Sequence, residues 1–186
     1  MQSINSRRRV MDKNEIAKKI YEASHLTGEF ILRSGQVSNE YFDKYLFEAQ
    51  SVLLNEIANY MKNLVPDGTE VLAGLEMGAI SIVTALSIAT GINACFVRKK
   101  AKDYGTRKLA EGAEIKNKYV TVVEDVVTTG GQVIESVNEL RRRGAVVDSV
   151  LCVILRNESA REILAAEGLT LIPAFTMDFI KKAAGA

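Results

Sequence analysis

Two adjacent carboxylates and a turn rich in threonine and glycine lie next to each other in the second half of the chain. Glu124 and Asp125 are followed, after two valines, by Thr128-Thr-Gly-Gly131. Threonine hydroxyls, backbone N–H groups and a helix N-terminus favour an anion such as phosphate. The carboxylates would repel an isolated phosphate, but they accept hydrogen bonds from a diol. The pattern therefore predicts a ligand with a phosphate and a nearby ribose-like diol. The alternative is an ordinary strand-to-helix turn.

The elements that position this turn are predicted to be a strand and a helix. Residues 119–123 are a β-branched, apolar run that ends at the carboxylates, and a helical pattern follows the glycines. Strands and helices also alternate elsewhere, which predicts an α/β class with a central parallel sheet flanked by helices. Further strands are predicted at 30–32, 70–75, 94–98, 146–155 and 169–175, and helices at 12–24, 49–64, 79–89 and 159–166. Ligands of such sheets bind beyond the carboxyl ends of the strands, where Glu124, Asp125 and Arg156 fall.

Composition and charge exclude several classes of protein. The 186 residues, 47% hydrophobic and 25% charged, suit one soluble domain with a full core. No apolar run reaches the roughly 18 residues of a membrane-spanning helix. A net charge of +1 gives no overall attraction to nucleic acid or to a membrane. The lone His25 excludes a multi-histidine metal site, and Cys95 and Cys152 fall in apolar runs typical of reduced thiols in a cytoplasmic protein.

The domain organisation is predicted to be simple. With only two prolines, no linker separates two full domains. We expect a solvated tail at residues 1–11 and a single domain at 12–186. Within it, about 12–45 form a small N-terminal lobe and about 46–186 form the core.

A long polar segment at residues 99–116 interrupts the alternation of strands and helices. Its beginning is strongly basic, with Arg98, Lys99 and Lys102 close together. A loop of this length inside a compact domain is usually functional, and its charge suits a pyrophosphate group. The alternative is a solvated basic loop without a ligand.

The sequence Val122-Val-Glu-Asp-Val-Val-Thr-Thr-Gly-Gly131 resembles the phosphoribosyl pyrophosphate signature of the type I phosphoribosyltransferases. Its Glu-Asp-Val-Val-Thr-Thr-Gly-Gly form is most similar to that of the orotate phosphoribosyltransferases. The resemblance implies the type I phosphoribosyltransferase fold, with an N-terminal hood lobe, a long flexible catalytic loop and a homodimer with shared active sites. It implies catalytic roles for Lys102, Glu124 and Asp125. Contacts to phosphoribosyl pyrophosphate are implied for Arg98, Lys99, Lys102, Tyr104, Glu124, Asp125, Val126, Val127, Thr128, Thr129, Gly130, Gly131 and Gln132. It also implies Mg²⁺ held mainly by substrate oxygens and water.

The N-terminal segment and the end of the strand predicted at 146–155 resemble the family's base-recognition residues. By this resemblance Arg33, Tyr41, Phe42, Thr128 and Arg156 contact orotate, with an aromatic ring stacked on the pyrimidine and Arg156 paired with its carboxylate. The alternatives are that the aromatic side chains are core anchors and that Arg156 extends to solvent.

The chain departs from the family pattern at three places. Tyr104 stands where the catalytic loop usually has a histidine, and Gln132 replaces a small residue. Gly74-Leu-Glu-Met-Gly78 lacks the lysine that some members carry in that loop.

The implied reaction converts orotate and 5-phosphoribosyl 1-diphosphate to orotidine 5′-phosphate and pyrophosphate, in de novo pyrimidine (UMP) biosynthesis. Two rival functions are a type I transferase for a purine or other base and a regulatory protein that senses phosphoribosyl pyrophosphate. Arg33 and Arg156 argue against a neutral purine. The near-neutral charge and the lack of a helix-turn-helix pattern argue against a nucleic-acid-binding regulator.

Overall fold

The computed structural model describes residues 10–32, 34–99 and 108–186. Its strands are β1 (His25–Ile31), β2 (Val37–Phe42), β3 (Val71–Leu75), β4 (Asn93–Val97), β5 (Ala110–Gly112), β6 (Tyr119–Val127), β7 (Val146–Leu155) and β8 (Thr170–Thr176). Its helices are α1 (Lys13–Ser24), α2 (Lys44–Glu48), α3 (Ser51–Met61), α4 (Ala79–Thr90), α5 (Gly131–Arg142), α6 (Ser159–Ala166) and α7 (Met177–Ala184).

Six strands form the main sheet, in the order β5-β4-β3-β6-β7-β8. All neighbouring pairs are parallel except the antiparallel pair β4 and β5 at one edge. The predicted α/β class with a mostly parallel central sheet is confirmed. β1 and β2 form a separate two-stranded antiparallel sheet.

The central strand β6 has helices packed on both of its faces. Val122 and Val123 are both fully buried, yet they belong to different hydrophobic clusters on opposite sides of the sheet. Successive side chains of a strand point to opposite faces, so an uninterrupted apolar run fills both cores. This packing fixes the carboxyl-terminal half of β6, which contains the acidic pair.

β6 is longer than the sequence predicted. The strand continues to Val127, so Glu124 and Asp125 lie within it rather than after its end. β6 pairs with β7 over this whole stretch, with Glu124 opposite Cys152 and Val127 opposite Leu155. The apolar strand β7 supplies backbone partners along its length, and this pairing outweighs the low strand propensity of carboxylates.

The N-terminal part combines predicted and unpredicted elements. α1 begins with a capping box, in which the Asp12 side chain accepts from the Glu15 N–H and the Glu15 side chain accepts from the Asp12 N–H. The helix predicted at 49–64 is confirmed as α3 followed by a 3-10 turn at Lys62–Leu64, and extended backbone at Gln50 makes it begin two residues later than predicted. Asp43 caps α2 by accepting a hydrogen bond from the Tyr45 N–H, which starts a helix earlier than predicted.

Three further elements were absent from the sequence prediction: β2, which pairs with β1, and β5 and α7. β5 lies inside the polar segment 99–116 and adds an edge strand to the sheet. α7 follows β8 and packs against α1. Among the described residues, no helix has both the length and the apolar character needed to cross a bilayer.

Candidate active site

The turn after β6 forms one wall of a cavity of about 340 Å³, which we call the phosphate-side cavity. Gly130 adopts a left-handed backbone with φ of 82°, and a Cβ there would lie 3.1 Å from the Leu164 side chain, so glycine suits this turn. α5 begins at the next residue, Gly131. The cavity is lined by Lys44, Tyr45, Glu76, Met77, Gly78, Lys99, Glu124, Val126, Val127, Thr128, Thr129, Gly130, Gly131, Gln132 and Val133. The hydroxyls of Thr128 and Thr129 and the N-terminus of α5 together can bind a phosphate group.

The two adjacent carboxylates lie in different environments. Glu124 lines the cavity. Burial, and then the hydrogen bond and charge of neighbouring Asp125, raise the pKa of Glu124 to about 9. Asp125 is 0% exposed and does not line the cavity, because its carboxylate contacts the Lys44 ammonium and lies against Gly78. Glu124 is therefore the carboxylate of this pair that a ligand in the cavity would meet.

The opposite wall joins the loop after β3 to the chain after β4. The Glu76 carboxylate accepts a hydrogen bond of 2.8 Å from the Lys99 N–H. The Arg98 N–H donates to the Leu109 carbonyl at 2.9 Å, which brings the two ends of segment 99–108 together. Lys99 thus lies in the cavity wall and Arg98 beside it, while Lys102 and Tyr104 lie outside the described residues.

A second cavity, of about 410 Å³, lies between the β1–β2 sheet and the end of β7, and we call it the base-side cavity. Tyr41, Phe42 and Arg156 all line it, so the structure brings these three predicted base-site residues together. The Arg156 guanidinium carbon lies 5.9 Å from the centre of the Phe42 ring. The predicted contact Thr128 lines the phosphate-side cavity instead, and Arg33 lies outside the described residues.

The Arg156 backbone links the two cavities. Its N–H donates a hydrogen bond of 2.8 Å to the Val127 carbonyl, immediately before the phosphate-binding turn. Arg156, which lines the second cavity, therefore sits beside the turn that begins at Thr128.

Lys44, Glu48 and a lining role for His25 were not predicted from the sequence. His25 is the C-cap of α1 and the first residue of β1, and it also lines the base-side cavity, where its Nε2 lies 2.9 Å from the Glu40 carboxylate. Lys44 and Glu48 come shortly after the aromatic pair at 41–42 and are four residues apart, which is about one helical turn. This spacing was the available signal.

The described residues that line this cavity include few side chains that could bind a metal. No group of three or more histidine, cysteine, aspartate or glutamate side chains could hold a metal among the residues that the structure describes. Glu76 and Glu124 are the carboxylates that line the cavity. A Mg²⁺ ion that keeps its waters and binds phosphate oxygens needs no more than one or two such groups, so the residues fit that mode.

The sequence model of the family described as the phosphoribosyl transferase domain matches residues 47–182 of the chain. The chain belongs to the phosphoribosyltransferase family. This range contains both walls of the phosphate-side cavity except Lys44 and Tyr45. The transferase signature that the sequence suggested is confirmed at the level of the family.

Relatives of this phosphoribosyltransferase include enzymes named for orotate. The chain is 50% identical over 161 residues to the orotate phosphoribosyltransferase of a Nocardioides species, covering 87% of this chain and 90% of that one. It is 41% identical over 150 residues to the orotate phosphoribosyltransferase of Methanocaldococcus jannaschii, covering 81% of this chain and 85% of the relative.

Solved structures agree with this relationship. The Mycobacterium tuberculosis orotate phosphoribosyltransferase in complex with Fe(III) dicitrate superposes with a TM-score of 0.83 at 32% identity, over 91% of this phosphoribosyltransferase and 99% of that chain. The adenine phosphoribosyl transferase of Trypanosoma brucei has a TM-score of 0.67 at 11% identity, over 88% of this chain and 80% of that one, which shows a shared fold alone. The type I phosphoribosyltransferase fold is therefore confirmed.

Proposed function

We propose that the chain transfers the 5-phosphoribosyl group from 5-phosphoribosyl 1-diphosphate to orotate, giving orotidine 5′-phosphate and pyrophosphate in de novo pyrimidine synthesis. The observation that carries the proposal is the placement of Arg156 over Phe42 in a cavity next to the phosphate-binding turn. A guanidinium beside an aromatic face suits a planar base that bears a carboxylate. The relatives named for orotate support the same substrate.

The phosphate-side cavity would bind the sugar phosphate. The hydroxyls of Thr128 and Thr129 and the N–H groups from Gly130 to Gln132 would hold the 5′-phosphate, with Val126 and Val127 forming the floor. Glu124 would accept a hydrogen bond from the ribose diol, and Asp125 adds negative charge behind it. The C1–O bond to pyrophosphate breaks with positive charge on the ring. That charge and Mg²⁺ would favour ionisation of Glu124, and its carboxylate would then stabilise the transition state.

The pyrophosphate would be bound from the opposite wall. Lys99 lines the cavity and Arg98 is its neighbour. Lys102 and Tyr104, outside the described residues, are proposed to complete this set. Mg²⁺ would neutralise the pyrophosphate oxygens when bound, and Glu124 is the cavity carboxylate that could reach one of its waters. Positioning of the two reactants supplies much of the remaining acceleration.

The base would occupy the second cavity. Phe42 would stack on the pyrimidine ring, with Tyr41 beside it and Arg156 paired with the orotate carboxylate. Arg33 and Thr128 are proposed as further contacts. The Arg156 guanidinium has five donors and no acceptor, so an anionic base edge is favoured over a neutral purine.

We also propose that the chain acts in the cytoplasm as a homodimer. An apolar depression of about 560 Å³ lies along α4, bordered by α2 and by Leu54 of α3. The side chains of Met77 and Ile88 there are 67% and 81% exposed. Because Tyr45 and Met77 line both this depression and the phosphate-side cavity, a second copy bound here would lie beside the active site.

The decisive experiment is a test of base specificity. Purified protein is mixed with phosphoribosyl pyrophosphate and Mg²⁺, and orotate consumption is followed by the loss of its ultraviolet band. Adenine, hypoxanthine, uracil and xanthine are tested in parallel. We expect orotate to be the only one of these five bases that is consumed. Turnover of a purine without orotate would assign the chain to another transferase, and binding of phosphoribosyl pyrophosphate with no turnover would favour a sensor.

A further inference from the structure

An ion pair with a buried carboxylate joins helix α2 to the central strand β6. The Lys44 ammonium contacts the Asp125 carboxylate, which is fully buried. The two residues are 81 positions apart in the sequence, 125 minus 44, so only the packing of α2 on the sheet brings them together. A buried carboxylate needs such a partner, because an unpaired charge in this environment is very costly.

Gly78 completes this contact by its lack of a side chain. A Cβ at Gly78 would lie 1.5 Å from an Asp125 carboxylate oxygen and 2.8 Å from the Lys44 ammonium nitrogen. The backbone of the loop after β3 thus packs directly on the ion pair. Lys44, Asp125 and Gly78 form one close-packed unit, and even a methyl group would disrupt it.

The two charges of this pair have different access to ligand. The Lys44 side chain is 32% exposed and lines the phosphate-side cavity, whereas Asp125 is enclosed behind it. Burial disfavours the charged ammonium, but the hydrogen bond and charge of Asp125 outweigh burial and raise the pKa of Lys44. The cavity therefore presents a permanently positive group held in a fixed position by a buried anion.

The position of Lys44 defines which part of the ligand it would meet. Lys44 lines the cavity together with Glu76, Met77 and Gly78 of the loop after β3, on the wall that also contains Lys99. This wall faces the turn that is proposed to hold the 5′-phosphate. Met77 occupies the loop in which some family members carry a lysine, so this loop brings no ammonium of its own.

We propose that Lys44 is a substrate-binding residue whose ammonium, anchored by Asp125 and seated on Gly78, binds the pyrophosphate group of the phosphoribosyl donor. Lys44 thereby supplies from α2 a cation that the loop 74–78 lacks. Asp125 is the positioning residue that holds it. The inference rests on the proposed transferase function and adds a contact that the sequence pattern did not assign.

The test measures pyrophosphate binding and kinetics in Lys44→Met, which keeps the length of the side chain and removes its charge. Calorimetry with inorganic pyrophosphate and Mg²⁺ should show affinity lowered by at least about fivefold, and the KM for phosphoribosyl pyrophosphate should rise to match, because one charge-assisted contact is lost. The KM for orotate should stay within about twofold, since the base cavity is untouched. A smaller loss of pyrophosphate affinity would overturn the proposal.

Controls separate binding from stability. Lys19→Met removes an exposed lysine of α1 and should leave both affinities unchanged. If Lys44→Met does not fold, Lys44→Gln keeps a polar group that can hydrogen-bond to Asp125, and the same loss of pyrophosphate affinity is expected. A variant with a lower melting temperature but unaltered pyrophosphate affinity would show that Lys44 is only structural, which contradicts the proposal.

A double-mutant cycle tests the anchoring by Asp125. Asp125→Asn alone should also weaken pyrophosphate binding, and Lys44→Met should cost less in that background than in the wild type. Full additivity of the two losses would overturn the anchoring. Because pyrophosphate binding is measured without orotate, the result stands even if the wild type fails to consume orotate, and the two proposals fail independently.

Discussion

The guanidinium of Arg156, at the end of β7, lies over the ring of Phe42, at the end of β2, with 5.9 Å between the guanidinium carbon and the ring centre. This contact joins the small two-stranded sheet to the main sheet. It also aligns a fixed positive charge with an aromatic face in one cavity. The base site therefore depends on the position of the two-stranded sheet relative to the main sheet.

Replacing Arg156 should affect the base far more than the sugar donor. We expect Arg156→Ala to weaken orotate binding by roughly 1.5–3 kcal/mol, the scale of a hydrogen bond to a charged group. Affinity for phosphoribosyl pyrophosphate should change little, and calorimetry with each ligand measures both. Arg143→Ala, at the far end of α5, is the matched control. Equal losses for both ligands would place Arg156 outside the base pocket.

Replacing Glu124 should affect the chemical step. Glu124→Gln keeps the size and hydrogen-bonding capacity of the side chain but cannot become negative as charge develops on the ribose. We expect kcat to fall at least about tenfold, which corresponds to about 1.4 kcal/mol of transition-state stabilisation. Steady-state kinetics of the folded variant test this, with exposed Glu162→Gln on α6 as the control. A kcat within about twofold of the wild type would contradict the assigned role.

Glu48 should make stability depend on pH. Burial, and then the nearby charge of Asp125, raise the pKa of Glu48 to about 8 from an ordinary value of 4.5. Between these two pH values the folded state binds more protons than the unfolded state, so the free energy of unfolding falls as pH rises. The contribution of Glu48 to the free energy of unfolding is complete below its ordinary pKa of 4.5. It is lost as the pH rises through the raised pKa of about 8.

The measurement for Glu48 compares urea unfolding of wild type and Glu48→Gln across this pH window. The amide can still accept the hydrogen bond that the Ser81 hydroxyl donates to Glu48 at 3.0 Å. We expect the stability of the variant relative to wild type to increase steadily from about pH 5 to about pH 8. A difference that does not change with pH would show that Glu48 titrates normally.

Mixed dimers should reveal whether active sites are shared between subunits. Lys102→Ala and Glu124→Gln are expected to be inactive when each is alone. If the basic segment of one subunit serves the other's site, half of the reassorted dimers carry one intact site. Activity should then recover to about a quarter of wild-type sites by this two-site count. No recovery after verified subunit exchange would mean that Lys102 acts within its own chain.

The sequence by itself determined the chemistry of the ligand and the class of the fold. The acidic pair, the threonines and the glycines are contiguous, so their spacing along the chain sets their spacing in space. The alternation of apolar runs likewise predicted α6 at its observed bounds and a mostly parallel sheet. Local pattern is enough when a strand is buried on both faces, because nearly every residue in it must then be apolar.

Only the tertiary structure decided which carboxylate of the acidic pair lines the cavity and which one pairs with Lys44. Glu124 and Asp125 look equivalent in sequence, but pairing with β7 extends the strand through both. Side chains of adjacent strand residues then diverge, which leaves Glu124 in the cavity and Asp125 enclosed with Lys44. The contact between Lys44 and Asp125 forms when α2 packs on β6, and no local spacing encodes a meeting of residues so far apart in the chain.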